Sequence, residues 1–273
     1  MKGLFDFLEI RVSQPGPYGW FHILCMVLIV AATVFLCVKF KDCDDKTFKL
    51  IALITWATMF LLEIYKQIVF TYDYTDSGIT ADFQWYVFPF QLCASPLYVL
   101  PFVAFMKDGK VRDYFVSFIS TFAMFGGLVV FFYPFDVFIN ILGINVQTMI
   151  HHGGQVIIGI FFAVHERKKL NFTYFLKSIV VFIALVTIAF VLNELVYIAF
   201  QNRGMDETFN MFYISRHFPN HLPLLSTIYS SVPYVVFLLV YIFGFTLLAC
   251  AVFYAIIGSI KLVNFLRKRR NNA

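Results

Sequence analysis

Seven uninterrupted apolar blocks, each long enough to cross a bilayer, constrain this chain more than any other feature. A transmembrane helix needs about 20 predominantly apolar residues. The blocks fall at roughly 20–38, 48–70, 86–106, 114–135, 145–164, 175–200 and 232–260. Their apolar residues run continuously and do not alternate at the period of an amphipathic helix or strand. Charged residues make up only 14% of the 273, against roughly 25% in a soluble domain. The expected fold is therefore all-α, a polytopic membrane bundle of about seven helices. It is organised as an extracytoplasmic or interfacial segment (1–19), a transmembrane domain (20–260) and a basic cytoplasmic tail (261–273).

The loops alternate in charge. Sixteen Lys and Arg residues lie in one set: around Lys39–Lys49, Lys107–Arg112, Arg167–Lys177 and Lys261–Arg270. The opposite set holds four: Lys2, Arg11, Arg203 and Arg216. An excess of basic residues marks the cytoplasmic side. The N-terminus is thus expected outside and the C-terminus inside. The net charge of +5 arises beside helix ends, so no nucleic-acid partner is expected. Residues 1–19 carry Asp6, Glu9, Arg11, Pro15 and Pro17 and do not read as a cleavable signal peptide. Leu4, Phe5, Phe7, Leu8 and Ile10 suit either a short interfacial helix or a frayed tail. The longest loop, about 201–231, carries Phe209, Met211, Phe212, Tyr213 and Phe218, which either rest on the membrane or roof a cavity.

Polar side chains inside spans are costly and face a bundle interior or a wet cavity. Here they cluster by depth. Glu63, Cys93, His151, His152, Asn193 and Glu194 each lie about six or seven residues from the outer end of their span, roughly 10 Å deep at 1.5 Å per residue. Lys66, Gln67, Gln91, Ser95, Gln147 and Gln155 accompany them. Gln147, His151 and Gln155 share one helical stripe at i, i+4, i+8. A polar cavity in the outer half of the bundle follows. The plainer reading is that these groups bond one another as glue between helices.

Cysteine with histidine is a nucleophile with a base. Glu63 or Glu194 is placed to orient the imidazole. Gln91, Gln155 and Asn193 are amides able to donate to an oxyanion. At this depth Cys93 meets the acyl esters of phospholipids, so acyl transfer through a thioester is the natural reaction class. A buried cysteine is more commonly only a small apolar residue, and Cys25, near His22, is a rival. Cys37 and Cys250 lie in apolar runs and Cys43 in a cytoplasmic loop, so neither a disulfide framework nor a zinc ribbon is expected. His151 and His152 are adjacent, about 100° apart on a helix, which argues against a metal; no cofactor is expected. The seventh span has no lysine before Lys261 for a Schiff base, and no long inverted repeat with broken helices is evident.

The sequence resembles the YwaF-like integral membrane proteins, which include transmembrane protein 164. The likeness rests on Phe88-Pro89-Phe90-Gln91-Leu92-Cys93 with Pro101, on His151-His152-Gly153, and on Asn210-Met211-Phe212-Tyr213 with Pro233-Tyr234. His22, Glu63 and Lys66 fit it too. The family's Gly-Pro-Trp run before the last span reads Ser231-Val232-Pro233 here. The resemblance implies a phospholipid-remodelling acyltransferase of a bacterial plasma membrane, with membrane phospholipids as acyl donor and acceptor. It makes Cys93 the acyl carrier and His151 or His152 the base. The stripe favours His151; the His-Gly pairing favours His152. Water as acceptor would make it a hydrolase. Two other classes compete: a lipid or small-ligand binding or transport protein built on Glu63 and Lys66, and a structural subunit. Reporter fusions at the two termini are expected to read opposite sides of the membrane, the C-terminal one cytoplasmic. Both on one side would overturn the odd span count.

Overall fold

The computed structural model describes residues 2–75, 78–135, 137–220 and 222–272. The chain is an all-α polytopic membrane bundle. A short helix α1 (Lys2–Leu8) precedes α2 (Trp20–Phe40) and α3 (Asp45–Thr71). An antiparallel hairpin, β1 (Tyr72–Thr75) with β2 (Gly78–Ala81), leads to the short α4 (Pro96–Phe105). Helix α5 (Arg112–Phe118) passes through a π-helical turn (Ile119–Ala123) into α6 (Met124–Phe132). Then come α7 (Leu142–His165), α8 (Phe172–Arg203), α9 (Leu225–Ser231) and α10 (Tyr234–Asn272). Among the described residues, five stretches are long and apolar enough to span: α2, α3, α5 through α6, α8 and α10.

The third apolar block departs from expectation. Its helix begins only at Pro96. Residues 85–95 hold two single 3-10 turns, Trp85–Val87 and Leu92–Ala94. Phe88, directly before Pro89, takes an extended ψ of 132°, because a following proline ring disfavours helical backbone. Pro96 then occupies the first turn of α4, where its missing N–H costs nothing. Gln91, Cys93 and Ser95 therefore sit on unwound chain, and a broken helix is present where none was evident in the sequence. The stretch read as a basic tail is helical as far as Asn272, as a continuation of α10. Elsewhere the helix ends follow local chemistry. Asp44 and Asn171 cap α3 and α8 by accepting from Thr47 N–H (3.0 Å) and Tyr174 N–H (2.9 Å). Gly204, at φ 63°, closes α8 in the left-handed conformation.

Helix α7 is the hub. It packs against α2, α3 and α6. Close approach is possible because the contacts fall on glycine. A Cβ on Gly153 would lie 2.4 Å from Ile29 Cδ1 of α2. One on Gly127 of α6 would lie 2.6 Å from the His152 carbonyl oxygen and 2.8 Å from Gln155 Cβ. An aromatic stack joins the other side of the bundle: Phe122 on Phe182 (4.3 Å), then Phe245 on Tyr241 (4.4 Å).

Many of the basic residues counted above close one end of the bundle. Buried Arg112 pairs with Asp45 and with Asp108 (2.8 Å). Arg167 pairs with Asp42. Asp113 takes Lys177 (2.7 Å) and Lys169 (3.2 Å). Burial raises the Glu166 carboxyl, but hydrogen bonds from His165 and Lys169 outweigh it and hold the group below its usual 4.5. At the opposite end the N-terminal segment is strapped down. Tyr65 donates to the Leu8 carbonyl (2.6 Å) and Gln14 to that of Phe138 (2.6 Å). Gly127→Ala is expected to destabilise the protein by about 1–3 kcal/mol through overpacking, read as a lowered thermal midpoint in detergent. An unchanged midpoint would mean that α6 and α7 do not meet this closely.

Candidate functional site

The unwound segment crosses the polar stripe of α7. Gln147, His151 and Gln155 are all buried there. The Cys93 carbonyl accepts from His151 Nε2 (2.9 Å) and from Gln155 Nε2 (2.7 Å). A carbonyl only accepts, so the proton of neutral His151 sits on Nε2 and its Nδ1 carries a lone pair. That Nδ1 is buried and has no partner among the described residues. Most buried polar atoms are paired; here His151 Nδ1, Gln155 Oε1, Gln91 Oε1 and also Gln67 Oε1, all on side chains around the unwound segment, have no partner among the described residues. Gly126 leaves space at this point: a Cβ there would lie 3.9 Å from Cys93 Cα and 3.6 Å from Gln155 Oε1.

His152 is arranged the other way round. Its Nδ1 donates to the Thr148 carbonyl (2.8 Å), which leaves Nε2 as the basic nitrogen. The two imidazoles stand edge to face, 5.4 Å between centroids. Cys93 lies on the 3-10 turn Leu92–Ala94, just before the start of α4, where the Ala94 N–H donates to the Gln91 carbonyl (2.9 Å). On α3, buried Glu63 binds Lys66 (2.7 Å) and Gln67 (2.8 Å) through one oxygen. Gln67 also donates to the Val87 carbonyl (3.0 Å), fastening α3 to the unwound segment.

The remaining expected residues do different work. Gln91 donates to the Asn210 carbonyl (2.9 Å). Asn193 grips Met211 at both backbone groups, donating to its carbonyl (3.0 Å) and accepting its N–H (2.7 Å). These bonds hold the 205–224 connection over the unwound segment. Phe209 and Phe212 are buried against Phe88 and Phe90 (5.5 and 5.7 Å), so they roof the bundle interior. Glu194 instead pairs with Arg216 (2.8 Å) and His217 (3.1 Å), and His217 stacks on Tyr197 at 3.5 Å. It belongs to the roof. Both nitrogens of His22 are occupied, by Tyr18 N–H (3.1 Å) and the Phe131 carbonyl (3.0 Å), which makes it structural. Asn210, Arg216 and His217 were not singled out by depth, since they lie outside the apolar blocks.

The model of the TMEM164 family matches residues 17–257, which include every residue placed above around Cys93. The chain belongs to the TMEM164 family. No curated protein and no solved structure matches it. For this TMEM164-family chain the match spans the unwound segment, the α7 stripe and the roof in one continuous stretch. Asn193→Ala is expected to strand the buried backbone groups of Met211, a loss of about 1–3 kcal/mol. Limited proteolysis should then cut within 205–224 where the wild type resists. Equal resistance would show that other contacts hold the roof.

Proposed function

We propose that this protein is a membrane-embedded acyltransferase that acts on phospholipids through an acyl-Cys93 intermediate. The observation that carries the proposal is Cys93 on unwound chain, with its carbonyl clamped by His151 and Gln155 and the His151 Nδ1 buried and unpaired. Nδ1 of His151 takes the thiol proton. The sulfur attacks the ester carbonyl of a phospholipid, and the C–S bond forms as the C–O bond breaks. The backbone N–H of Cys93 holds the oxyanion, and the imidazolium returns the proton to the leaving alkoxide. In the second half the hydroxyl of an acceptor lipid gives its proton to Nδ1 and attacks the thioester. The ester forms, and the sulfur leaves and is reprotonated. With the basic end of the bundle facing the cytoplasm, Cys93 lies toward the outer leaflet of a plasma membrane in this reading.

Glu63 and Lys66 serve as electrostatic support. They also motivate the second reading, a lipid-binding or transport protein. The first is favoured because Lys66 is already neutralised by Glu63 at 2.7 Å and offers no free charge to a ligand. Incubation of purified protein with mixed phospholipids should give an acyl adduct by intact mass, sensitive to hydroxylamine and absent in Cys93→Ala. His151→Ala should slow its formation by about 10²–10⁴-fold, and His152→Ala much less. No adduct and no lipid turnover in the wild type would overturn the proposal.

A further inference from the structure

Helix α10 outruns the bundle. Among the described residues its last buried side chain is Phe253, stacked on Phe175 of α8 at 5.5 Å. Phe175 lies one turn past Asn171, which caps the start of α8. The bundle therefore ends about one turn after Phe253, near Ile257. The helix continues to Asn272, roughly 22 Å further at 1.5 Å per residue. Every side chain from Lys261 to Leu266 is exposed.

These turns have two faces. Leu262, Phe265 and Leu266 fall at i, i+3 and i+4 and share one side, at 58, 53 and 54% exposure. Lys261, Asn264 and Lys268 share another, at i, i+3 and i+7. Arg269 lies over the Phe265 ring at 4.7 Å, and the sequence adds Arg267 and Arg270. Elsewhere at this end of the bundle charge is balanced: Arg112, Arg167, Lys169 and Lys177 all meet carboxylates. Here it is not. The sequence has no acidic residue after Glu207. Among the described residues, Lys261, Lys268 and Arg269 have no carboxylate partner.

A free helix this short is marginal in water, and its apolar side has no protein cover. The headgroup layer of a bilayer is about 5–8 Å thick on each side. Standing upright, Leu262–Leu266 would lie roughly 7–14 Å past Ile257, in water. The basic run would then be near the limit of a Debye length of about 8 Å. Gly258 and Ser259 stand where α10 leaves the bundle, and a Gly/Ser pair is where a helix bends readily. The Ser259 hydroxyl donates back to the Ala255 carbonyl (2.9 Å), a bond that favours such a bend. Leaning over, the apolar side meets the boundary of headgroups and acyl chains while the cations meet phosphates.

We propose that α10 beyond Gly258 lies against the leaflet at the basic end of the bundle and binds the headgroups of anionic phospholipids. This goes beyond the acyl-Cys93 reading and does not depend on it. A cluster of four to eight basic residues directly after a spanning helix is the chemistry that anionic lipid selects.

The test uses the full chain in micelles holding equal phosphatidylglycerol and phosphatidylcholine, with bound lipid counted by native mass spectrometry. Wild type should retain phosphatidylglycerol by about tenfold or more over phosphatidylcholine, since each surface cation contributes roughly fivefold. Joint substitution of Lys261, Arg267, Lys268, Arg269 and Arg270 by Gln should bring the ratio close to one. Lys107→Gln with Lys110→Gln should leave it unchanged. An equal preference in the five-residue variant overturns the assignment. A second measurement locates the contact. Phe265→Trp adds emission to that of Trp20, Trp56 and Trp85. In phosphatidylcholine nanodiscs containing chain-brominated phosphatidylglycerol, the added emission should be quenched. The quenching should weaken at about 1 M salt, where the Debye length is about 3 Å. Unquenched emission, as from a helix standing in water or covered by a protein partner, overturns the proposal.

Discussion

Unwound backbone inside an apolar bundle has no water to satisfy it, and every carbonyl freed from helix needs a donor from the protein. The break before α4 frees several. The Cys93 carbonyl is met by His151 and Gln155, that of Val87 by Gln67 and that of Pro89 by Tyr98; within α4 the Leu97 carbonyl, left without an N–H by Pro101, is met by Trp56. Four side chains on three different helices thus hold one short irregular segment. Polar residues that look like the equipment of a cavity are in large part the structural requirement of that break. The glue reading of the sequence describes Gln67, Gln91 and Asn193 well.

His151 differs from these because satisfying the Cys93 carbonyl consumes only one of its nitrogens. The bond to the backbone fixes the tautomer, and the tautomer leaves a basic lone pair buried beside the segment that carries the thiol. A histidine oriented by a carbonyl rather than by a carboxylate explains why neither Glu63 nor Glu194 contacts either imidazole. Glu63 is occupied with Lys66 and Gln67, and Glu194 with Arg216 and His217. In the acyl-Cys93 reading, main chain takes the place of the acidic third member expected from catalytic triads.

The roof depends on the same break. Gln91 reaches from the unwound segment to Asn210, and Asn193 fixes the next residue, Met211. Between them Phe212 and Tyr213 take φ near +56° and +55°, a region that bulky side chains rarely adopt. Their strain is held by burial of Phe212 and by the asparagine network around it. The glycine contacts of α7 give this arrangement a rigid floor, since α2 and α6 approach too closely to slide past Gly153 and Gly127.

Continuous apolar blocks fixed the all-α membrane bundle, because the bilayer dictates element length and little else satisfies it. The i, i+4, i+8 spacing likewise put Gln147, His151 and Gln155 on one buried face, since helical periodicity is a local property. Depth along each span put Cys93 and the α7 histidines at one level, and the Cys93 carbonyl does meet the His151 imidazole. What a chain order cannot carry is which partner a polar group will choose. Asn193 and Glu194 are neighbours in sequence, yet one grips Met211 and the other pairs with Arg216 and His217, because 100° of helix separates their directions. The break at 85–95 was equally hidden: its residues are as apolar as a helix, and only Pro89 and Pro96 hint at it. Hydrophobicity reports the solvent that a segment faces. The tertiary packing of α7 decided which freed backbone groups would find hydrogen-bond donors, and therefore where the helix could end.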